Sequence, residues 1–318
     1  MRDTKLFIGR LLQGAAAAIV SLVGVSVEAA APGITGPNFN LSATPGHISQ
    51  PDGTSVYSWG YGCTSGTSPA FLPAAIAGAG CSTMQLPGPT LIVTEGQNVT
   101  VTLTNRLPKA AGNTSILFPG FAVSAVAAST QPAGCTAASP ALPGTLTTEA
   151  ANGCAVTYSF TANKPGTHVY YSGTQSDLQV EMGLYGALIV LPSAIPAVCN
   201  NTQNDQARAA DRGNGAHADF RLANAAYNHP SACYDREYLF QFSEIDPGIH
   251  RQVEEQAQAD ALKPAARQCA KPTGCLVVAT EPYVPAYFMI NGRSMPDLME
   301  PNYALHFPNQ PYNGNPHM

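Results

Sequence analysis

The clearest alternation of hydrophobic and polar positions lies between residues 90 and 105. An apolar run at 90–93 is followed by a turn at 95–98 and by a segment, 99–105, in which valine and leucine alternate with threonine. Successive side chains of a strand point to opposite faces, so this alternation predicts a strand with one buried and one solvent-facing side. Threonine and valine also favour a pleated surface. We therefore predict two strands connected by a turn.

Shorter strand patterns recur along the chain, at residues 38–41, 55–61, 155–162, 167–172, 184–191, 238–242, 276–280 and 287–290. The run 184–191 is apolar throughout, which is typical of a central strand. We predict loop at 62–86 and one charged, alanine-rich helix at 250–266, whereas 121–153 show no clear pattern. With 29 glycines, 27 prolines and 11% charged residues, the chain is predicted to be an all-β protein with many turns.

The N-terminal residues follow the order of a secretory signal peptide. Three basic residues lie within the first ten, an apolar stretch covers 11–27, and small residues follow. We predict a signal peptide at residues 1–29, with cleavage after Ala29 or Ala31. The alternative is a membrane anchor, but the stretch is shorter than the ~20 apolar residues of a bilayer span and is rich in alanine and glycine. The protein is therefore expected to be exported, to a periplasmic or extracellular location, with no membrane span after signal removal.

The charge of the chain restricts its partners. The net charge is −5, and nucleic-acid binding requires clustered lysine and arginine, so we expect no nucleic-acid partner. The sequence contains no Gly-x-Ser-x-Gly elbow, P-loop or His-Glu-x-x-His segment. What is expected is a protein or small-molecule partner that the sequence does not identify.

All eight cysteines lie beyond the predicted signal peptide, and none forms a Cys-x-x-Cys pair. An even number of cysteines in an exported chain favours disulfides over a zinc site. The sequence permits many pairings. Our working expectation is nearest-neighbour order, in which each bridge closes a local loop: Cys63–Cys81, Cys135–Cys154, Cys199–Cys233 and Cys269–Cys275.

Three segments resemble the multicopper oxidase family. Residues 86–107, with the Pro-Gly-Pro turn, the Glu-Gly turn and the strand ending in Asn105, are similar to the opening of the family's first cupredoxin domain. Residues 166–190, with Gly-Thr and Gly-Leu-Tyr-Gly-Ala, resemble the last two strands of that domain. Residues 287–293 resemble part of the second domain. The resemblance implies a cupredoxin-like Greek-key β-barrel or sandwich, followed by a second cupredoxin-like domain that is incomplete in this sequence.

This resemblance also implies a domain organisation. We expect the first cupredoxin-like domain at 37–196, a linker or insertion at 197–232 and the partial second domain at 233–318. An immunoglobulin-like adhesion module is compatible with the strand pattern, because Greek-key sandwiches share short alternating strands. The Pro-Gly-Pro, Glu-Gly and Gly-Leu-Tyr-Gly segments favour the cupredoxin fold over that alternative.

The copper ligands that the resemblance implies are replaced in this sequence. Two His-x-His pairs on neighbouring strands aim four imidazoles at one copper cluster in the family, because residues i and i+2 of a strand share a face. The frame Thr114-Ser115-Ile116 precedes the first pair, and the frame 166–170 precedes the second. The four ligand positions hold other residues instead, namely Leu117, Pro119, Tyr171 and Gly173.

Among these residues only Tyr171 carries a side-chain donor, and its reference pKa near 10 opposes metal binding as phenolate. A buried or hydrogen-bonded tyrosine is the favoured interpretation. His168 is three residues from a ligand position, which places it on the opposite face of the strand, in a packing or surface role. Four scattered histidines are expected in solvent-exposed loops: His47, His217, His229 and His250. His306 and His317 lie near the C-terminus, and His317 is left open as part of a site completed by further sequence.

The sequence therefore supports two functions. The first is an exported cupredoxin protein without the N-terminal trinuclear copper ligands, with a binding or structural role and no cofactor or catalytic residue in this chain. The alternative is a copper-dependent oxidoreductase whose copper sites lie in sequence or a partner beyond residue 318. Whether the chain is an enzyme is left open, with the missing histidines favouring a non-enzymatic role.

Overall fold

The computed structural model describes residues 31–72, 81–197, 199, 225–234, 237–300 and 309–310. The predicted signal peptide lies outside the described residues. No helix within these ranges is long and apolar enough to cross a bilayer.

Strands dominate the described part of the chain, which confirms the predicted all-β class. They are β1 (Gly33–Thr35), β2 (Asn38–Ser49), β3 (Ser55–Cys63), β4 (Ala70–Leu72), β5 (Leu91–Thr94), β6 (Asn98–Asn105), β7 (Ser124–Ala127), β8 (Ala141–Pro143), β9 (Thr148–Ala150), β10 (Ala155–Thr161), β11 (Gly166–Tyr171), β12 (Tyr185–Leu191), β13 (Phe242–Ile245) and β14 (Tyr287–Ile290). Within the described residues, the α-helices are α1 (Ser176–Glu181) and α2 (Pro247–Ala261).

Two five-stranded sheets form a sandwich. One sheet has the order β11-β12-β5-β1-β4, and the other has the order β3-β2-β6-β10-β7. Strands β5 and β12 run parallel, as do β2 and β6, whereas β6 and β10 run antiparallel. The main hydrophobic core lies between the sheets and takes side chains from both, including Leu91 and Leu188 from the first sheet and Trp59 and Leu103 from the second.

The strongest sequence pattern produced the strand that it predicted. In β6, Val99, Val101 and Leu103 are fully buried, while Thr100 and Thr102 between them are only half-buried. The apolar run 184–191 forms β12, which lies between two other strands of its sheet and is buried at five of seven positions. Local alternation and local apolar runs therefore suffice to identify these two strands.

Helix α2 differs from the predicted range of 250–266 because its N-terminus is set by a cap. The Asp246 carboxylate accepts a hydrogen bond from the Gly248 N–H at 2.8 Å, and Pro247 occupies the first turn. Both features are typical of a helix start. The helix ends at Ala261, three residues before Pro264, a residue that disfavours continuation of a helix.

The apolar face of α2 is part of the main core. Ile249 and Val253 are 2% and 0% exposed and pack in the same cluster as Trp59 of β3. The region after residue 233 is thus packed onto the first sandwich through this helix. The described part of this region also contains the antiparallel pair β13–β14, in which Phe242 lies opposite Ile290. The domain boundaries given above stay a prediction.

Three sequence predictions on secondary structure are wrong. The segment 276–280 is not a strand; instead, the Val277 N–H and carbonyl bond to the side chain of Gln256 on α2, at 2.7 and 2.8 Å. Of residues 238–242, only Phe242 is part of a strand, as the first residue of β13, which pairs with β14. The predicted loop 62–86 contains β4, which pairs with β1. In each case the pairing partner lies far away in sequence, where a local pattern carries no information about it.

Four disulfides are present, in nearest-neighbour order: Cys63–Cys81, Cys135–Cys154, Cys199–Cys233 and Cys269–Cys275. This is the pairing taken as the working expectation. Cys269–Cys275 closes a loop that is fastened to the sandwich, because the Cys275 N–H donates to the Ala110 carbonyl and the Asn113 N–H donates to the Pro272 carbonyl, each at 2.8 Å.

Candidate functional site

Three of the four predicted ligand positions, Leu117, Tyr171 and Gly173, lie close together on two adjacent segments. Leu117 and Tyr171 form an antiparallel bridge, in which the Leu117 N–H donates to the Tyr171 carbonyl at 2.7 Å and the Tyr171 N–H donates to the Leu117 carbonyl at 3.3 Å. Pro119 and Gly173 follow two residues later on each segment. Because the bridge is antiparallel, Gly173 lies beside Ser115 and Pro119 lies on the other side of the bridge.

The side chain of Leu117 fills the space above Gly173. A Cβ atom placed on Gly173 would lie 2.8 Å from Cγ and 3.1 Å from Cδ1 of Leu117. The first of these distances is shorter than carbon–carbon contact allows, since carbon atoms pack at about 3.5–4.0 Å. Position 173 therefore accepts no side chain unless Leu117 moves. The two positions are complementary to each other, leucine filling what glycine leaves open.

The other two predicted ligand positions differ in solvent exposure. Tyr171 is the last residue of β11 and is half-buried, whereas Pro119 is exposed. Pro119 and Gly173 offer no side-chain donor, and neither does Leu117. The four positions thus provide one phenol and three groups without metal affinity.

A buried hydrogen-bond network lies directly beside these positions. The Gln179 Oε1 atom of α1 accepts hydrogen bonds from the Thr114 hydroxyl at 2.9 Å and from the Ser172 hydroxyl at 2.7 Å. The Ser115 and Thr174 hydroxyls lie 2.9 Å apart. Four of the five residues are fully buried and Thr174 is 5% exposed. Buried polar groups of this kind are stable only when they are paired, as they are here.

This network also holds the backbone of both segments. Gln179 Nε2 donates to the Asn113 carbonyl at 2.9 Å, and the Gly173 N–H donates to the Ser115 hydroxyl oxygen at 3.2 Å. The Tyr61 hydroxyl donates to the Ser115 carbonyl at 2.6 Å. Burial raises the pKa of Tyr61 well above its usual value, so this phenol stays neutral and acts as a donor. Sequence reasoning missed Gln179, because its role depends on where α1 packs.

The side chains that alternate with the ligand positions belong to the core. Phe118 is 3% exposed and packs against Phe160 and Tyr170, with ring centroids 4.8 and 6.0 Å apart. The Tyr170 hydroxyl donates to the Pro89 carbonyl of the Pro-Gly-Pro turn at 2.6 Å. The alternation of side chains along each segment thus directs Phe118 and Tyr170 into the core and leaves Leu117 and Tyr171 on the other face, at the predicted ligand positions.

His168 does not join that site. Its ring packs edge-on against Phe121 at 4.7 Å between centroids, and its Nε2 lies 2.8 Å from the Lys164 carbonyl. It lies on β11 three residues before Tyr171, so its side chain lies on the opposite face of the strand.

The exposed-loop prediction for His250 is wrong. His250 lies on α2 and is 1% exposed. Its Nδ1 is 2.5 Å from the Tyr57 carbonyl, and its Nε2 is 3.1 Å from the Glu181 carbonyl and 3.5 Å from the Glu181 carboxylate. The ring is buried because α2 packs on β3 and α1, an arrangement that the sequence around His250 does not reveal.

His47 is exposed but lies on a strand rather than in a loop. It belongs to β2, its side chain is 47% exposed, and its Nε2 is 3.1 Å from Glu254 on α2. His229 is in an exposed turn, where its Nδ1 accepts a hydrogen bond from the Ser231 N–H at 3.2 Å. The remaining predicted positions, His217, His306 and His317, lie outside the described residues.

Copper does not fit the four ligand positions. Imidazole and thiolate are the ligands that copper prefers, and neither is present there. Leu117 also occupies the space that a ligand at position 173 would need. Throughout the described ranges, no three His, Cys, Asp or Glu side chains lie close enough together to hold a metal ion.

Both segments lie within a part of the chain that is similar to a known family. Residues 81–194 match the family model of the multicopper oxidases. This matched part, the multicopper oxidase segment, begins at Cys81 and includes all four predicted ligand positions. The two-sheet sandwich agrees with the cupredoxin-like fold predicted from the sequence. No curated protein matches the chain.

Solved multicopper oxidases are similar in structure at low sequence identity. The multicopper oxidase mgLAC has 16% identity and a TM-score of 0.44, covering 81% of this chain and 54% of its own. The blue copper oxidase from Nitrosomonas europaea has 18% identity and a TM-score of 0.43, covering 82% and 54%. The multicopper oxidase from Pseudomonas thermotolerans has 21% identity and a TM-score of 0.34, covering 52% and 31%. The chain thus spans about half or less of these solved structures.

Proposed function

We propose that this chain is an exported multicopper-oxidase-type protein that binds no copper at its N-terminal ligand positions and has a binding or structural role. The packing of Leu117 over Gly173 is the single observation that carries the proposal. A site that merely lost its ligands would be left open, whereas here the replaced residues fit each other and rest on a satisfied polar network. In this proposal, the multicopper oxidase segment provides a folded domain that does not carry out the copper chemistry of the family.

Four disulfides support the exported location. Disulfides persist in the periplasm and outside the cell and are rare in the cytosol. Their number accounts for all eight cysteines, so no thiolate is left to bind a metal. The predicted signal peptide at residues 1–29 supports the same location.

The test is the copper content of the purified protein. The protein is produced in a bacterial host with copper in the medium, recovered from the periplasm, dialysed and measured by atomic spectrometry and by oxidation of a phenol. We expect far less than one copper per chain and no phenol oxidation above background, while an established laccase carried through the same steps retains both. The His168→Ala variant controls for adventitious binding at the one histidine of β11.

Stoichiometric copper together with phenol oxidation would overturn this proposal. If a trace of copper is lost in His168→Ala, that copper was bound at the surface imidazole rather than at the former ligand positions. If a trace well below one copper per chain persists, it is bound elsewhere on the chain and the proposal stands, whereas copper that approaches one per chain overturns it.

A second candidate is a copper-dependent oxidoreductase whose copper sites lie in sequence or a partner beyond residue 318. The family match of residues 81–194 favours it. It requires copper with a blue thiolate absorption band in protein isolated from its natural source. Absence of that band from a preparation that contains this chain would remove the second candidate.

A further inference from the structure

The residue at the start of the described chain is buried. Ala31 is 1% exposed and packs with Ile92 of β5 and Ile189 of β12, which belong to the same small cluster. Partly buried side chains complete the cluster, among them Leu239. The methyl group of Ala31 therefore connects the outer face of the first sheet with the segment that leads to β13.

Ala31 is also hydrogen-bonded to that segment. Its backbone N–H donates to the Glu237 Oε2 atom at 2.8 Å. Glu237 is half-buried, and burial raises the pKa of its carboxyl group, an effect that the hydrogen bond from Ala31 opposes. A partly buried carboxylate is costly without a partner, so this contact stabilises both groups.

The contact holds one face of an alternating segment. Glu237 and Leu239 point inward to Ala31 and its cluster, while Tyr238, Phe240 and Phe242 are 40%, 45% and 75% exposed. The rings of the exposed three stack in a row, with neighbouring centroids 6.3 Å apart. Because side chains alternate along an extended chain, anchoring the inner face fixes the direction of this aromatic row.

These contacts discriminate between the two cleavage points of the predicted signal peptide. Cleavage after Ala31 would remove its methyl group and its N–H, and would start the chain at Pro32. Cleavage after Ala29 retains both. It leaves the Ala31 N–H in place as the donor to the Glu237 carboxylate.

We infer that the chain is processed between Ala29 and Ala30, and that Glu237 is the acceptor that docks the mature N-terminus onto the segment leading to β13. The inference rests on the export that is part of the proposed function. It assigns a role to Glu237, which no sequence motif identifies, and it makes the orientation of the aromatic row depend on where the signal peptide is removed.

The first test is the N-terminus of the exported protein. The full chain is produced with its own leader in a bacterial host, isolated from the periplasm and analysed by N-terminal sequencing and intact mass. We expect a chain that starts at Ala30. A chain that starts at Pro32 overturns this inference and leaves the export intact, whereas an uncleaved chain confined to the cytosol overturns the export as well.

The second test measures the docking itself. Two forms that start at Ala30 and at Pro32 are each compared with their Glu237→Gln variants by thermal unfolding. We expect Glu237→Gln to lower the Tm of the Ala30 form by about 2–4 °C and to leave that of the Pro32 form nearly unchanged. The Glu255→Gln variant, at an exposed position of α2, is the matched control and should change neither. Equal effects of Glu237→Gln in both forms overturn the docking.

Discussion

At the level of single residues, two of the predicted ligand positions, Leu117 and Gly173, pack against each other. Leu117 and Gly173 are far apart in sequence, and each is unremarkable alone. Together they fill one space, since the leucine side chain reaches to 2.8 Å of the place where a Cβ of residue 173 would be. The pair therefore leaves no open space for a side chain at position 173.

Gly173→Ala tests this complementarity. The added methyl group meets Leu117 Cγ, so we expect a loss of about 1–3 kcal/mol in the free energy of unfolding, measured by urea titration. Leu117→Ala removes the obstacle, and the double variant should therefore lose less than the sum of the two single variants. Strict additivity of the two changes would contradict the contact.

The two histidines on α2 and β2 form a second residue-scale comparison. His250→Ala removes a buried ring and leaves the Tyr57 and Glu181 carbonyls without this partner, so we expect it to cost about 2–4 kcal/mol of unfolding free energy. His47→Ala removes an exposed pair with Glu254 and should cost below about 1 kcal/mol. The free energies of unfolding of both variants are measured by urea titration. Similar losses for His250→Ala and His47→Ala would contradict the burial of His250.

At the scale of elements, α2 contributes Ile249 and Val253 to the main hydrophobic core. Its cap at Asp246 and its proline are readable in the sequence, but its packing partner is not. The partner of residues 276–280 is not readable in the sequence either. This stretch is rich in β-branched residues, but its backbone forms hydrogen bonds with the Gln256 side chain instead of with a strand. Sequence patterns predict the element type, and the available partner then determines whether a strand forms.

Val253→Ala tests the placement of α2. The Val253 side chain is fully buried in the main core, and removing two methyl groups there should cost about 1–3 kcal/mol of unfolding free energy. The control is Val277→Ala, the same change at a position that is 84% exposed, which should cost less than about 0.5 kcal/mol. Both are measured by urea unfolding. A tolerated Val253→Ala would place α2 outside the core.

At the scale of the whole molecule, buried tyrosines tie stability to alkaline pH. Burial raises the pKa of Tyr185 to about 12, and it raises the pKa of Tyr61 and Tyr158 as well. In the unfolded chain these phenols titrate near pH 10. Folding therefore favours the neutral phenols, and the stabilisation is fully present below pH 10 and is lost as the pH rises above it.

We accordingly expect the free energy of unfolding to fall between pH 10 and 11 by roughly 1–1.5 kcal/mol per pH unit for each of these three tyrosines. Urea unfolding at pH 8, 9, 10 and 11 measures the slope. The Tyr185→Phe variant removes one titrating group and should have a shallower slope than the wild type. A stability that is flat to pH 11 would contradict the burial of these phenols.

Strands β6, β12 and β14 and the all-β class could be predicted from the sequence alone, and the four ligand positions stay a prediction from its resemblance to the multicopper oxidases. These depend on local alternation, apolar runs and short motifs, which are written in consecutive residues. Three features could not be predicted in this way: Leu117 covers Gly173, Gln179 accepts hydrogen bonds from the neighbouring hydroxyls, and His250 is buried. Each of these depends on residues distant in sequence meeting in space, and burial and hydrogen bonding exist only once those residues have met.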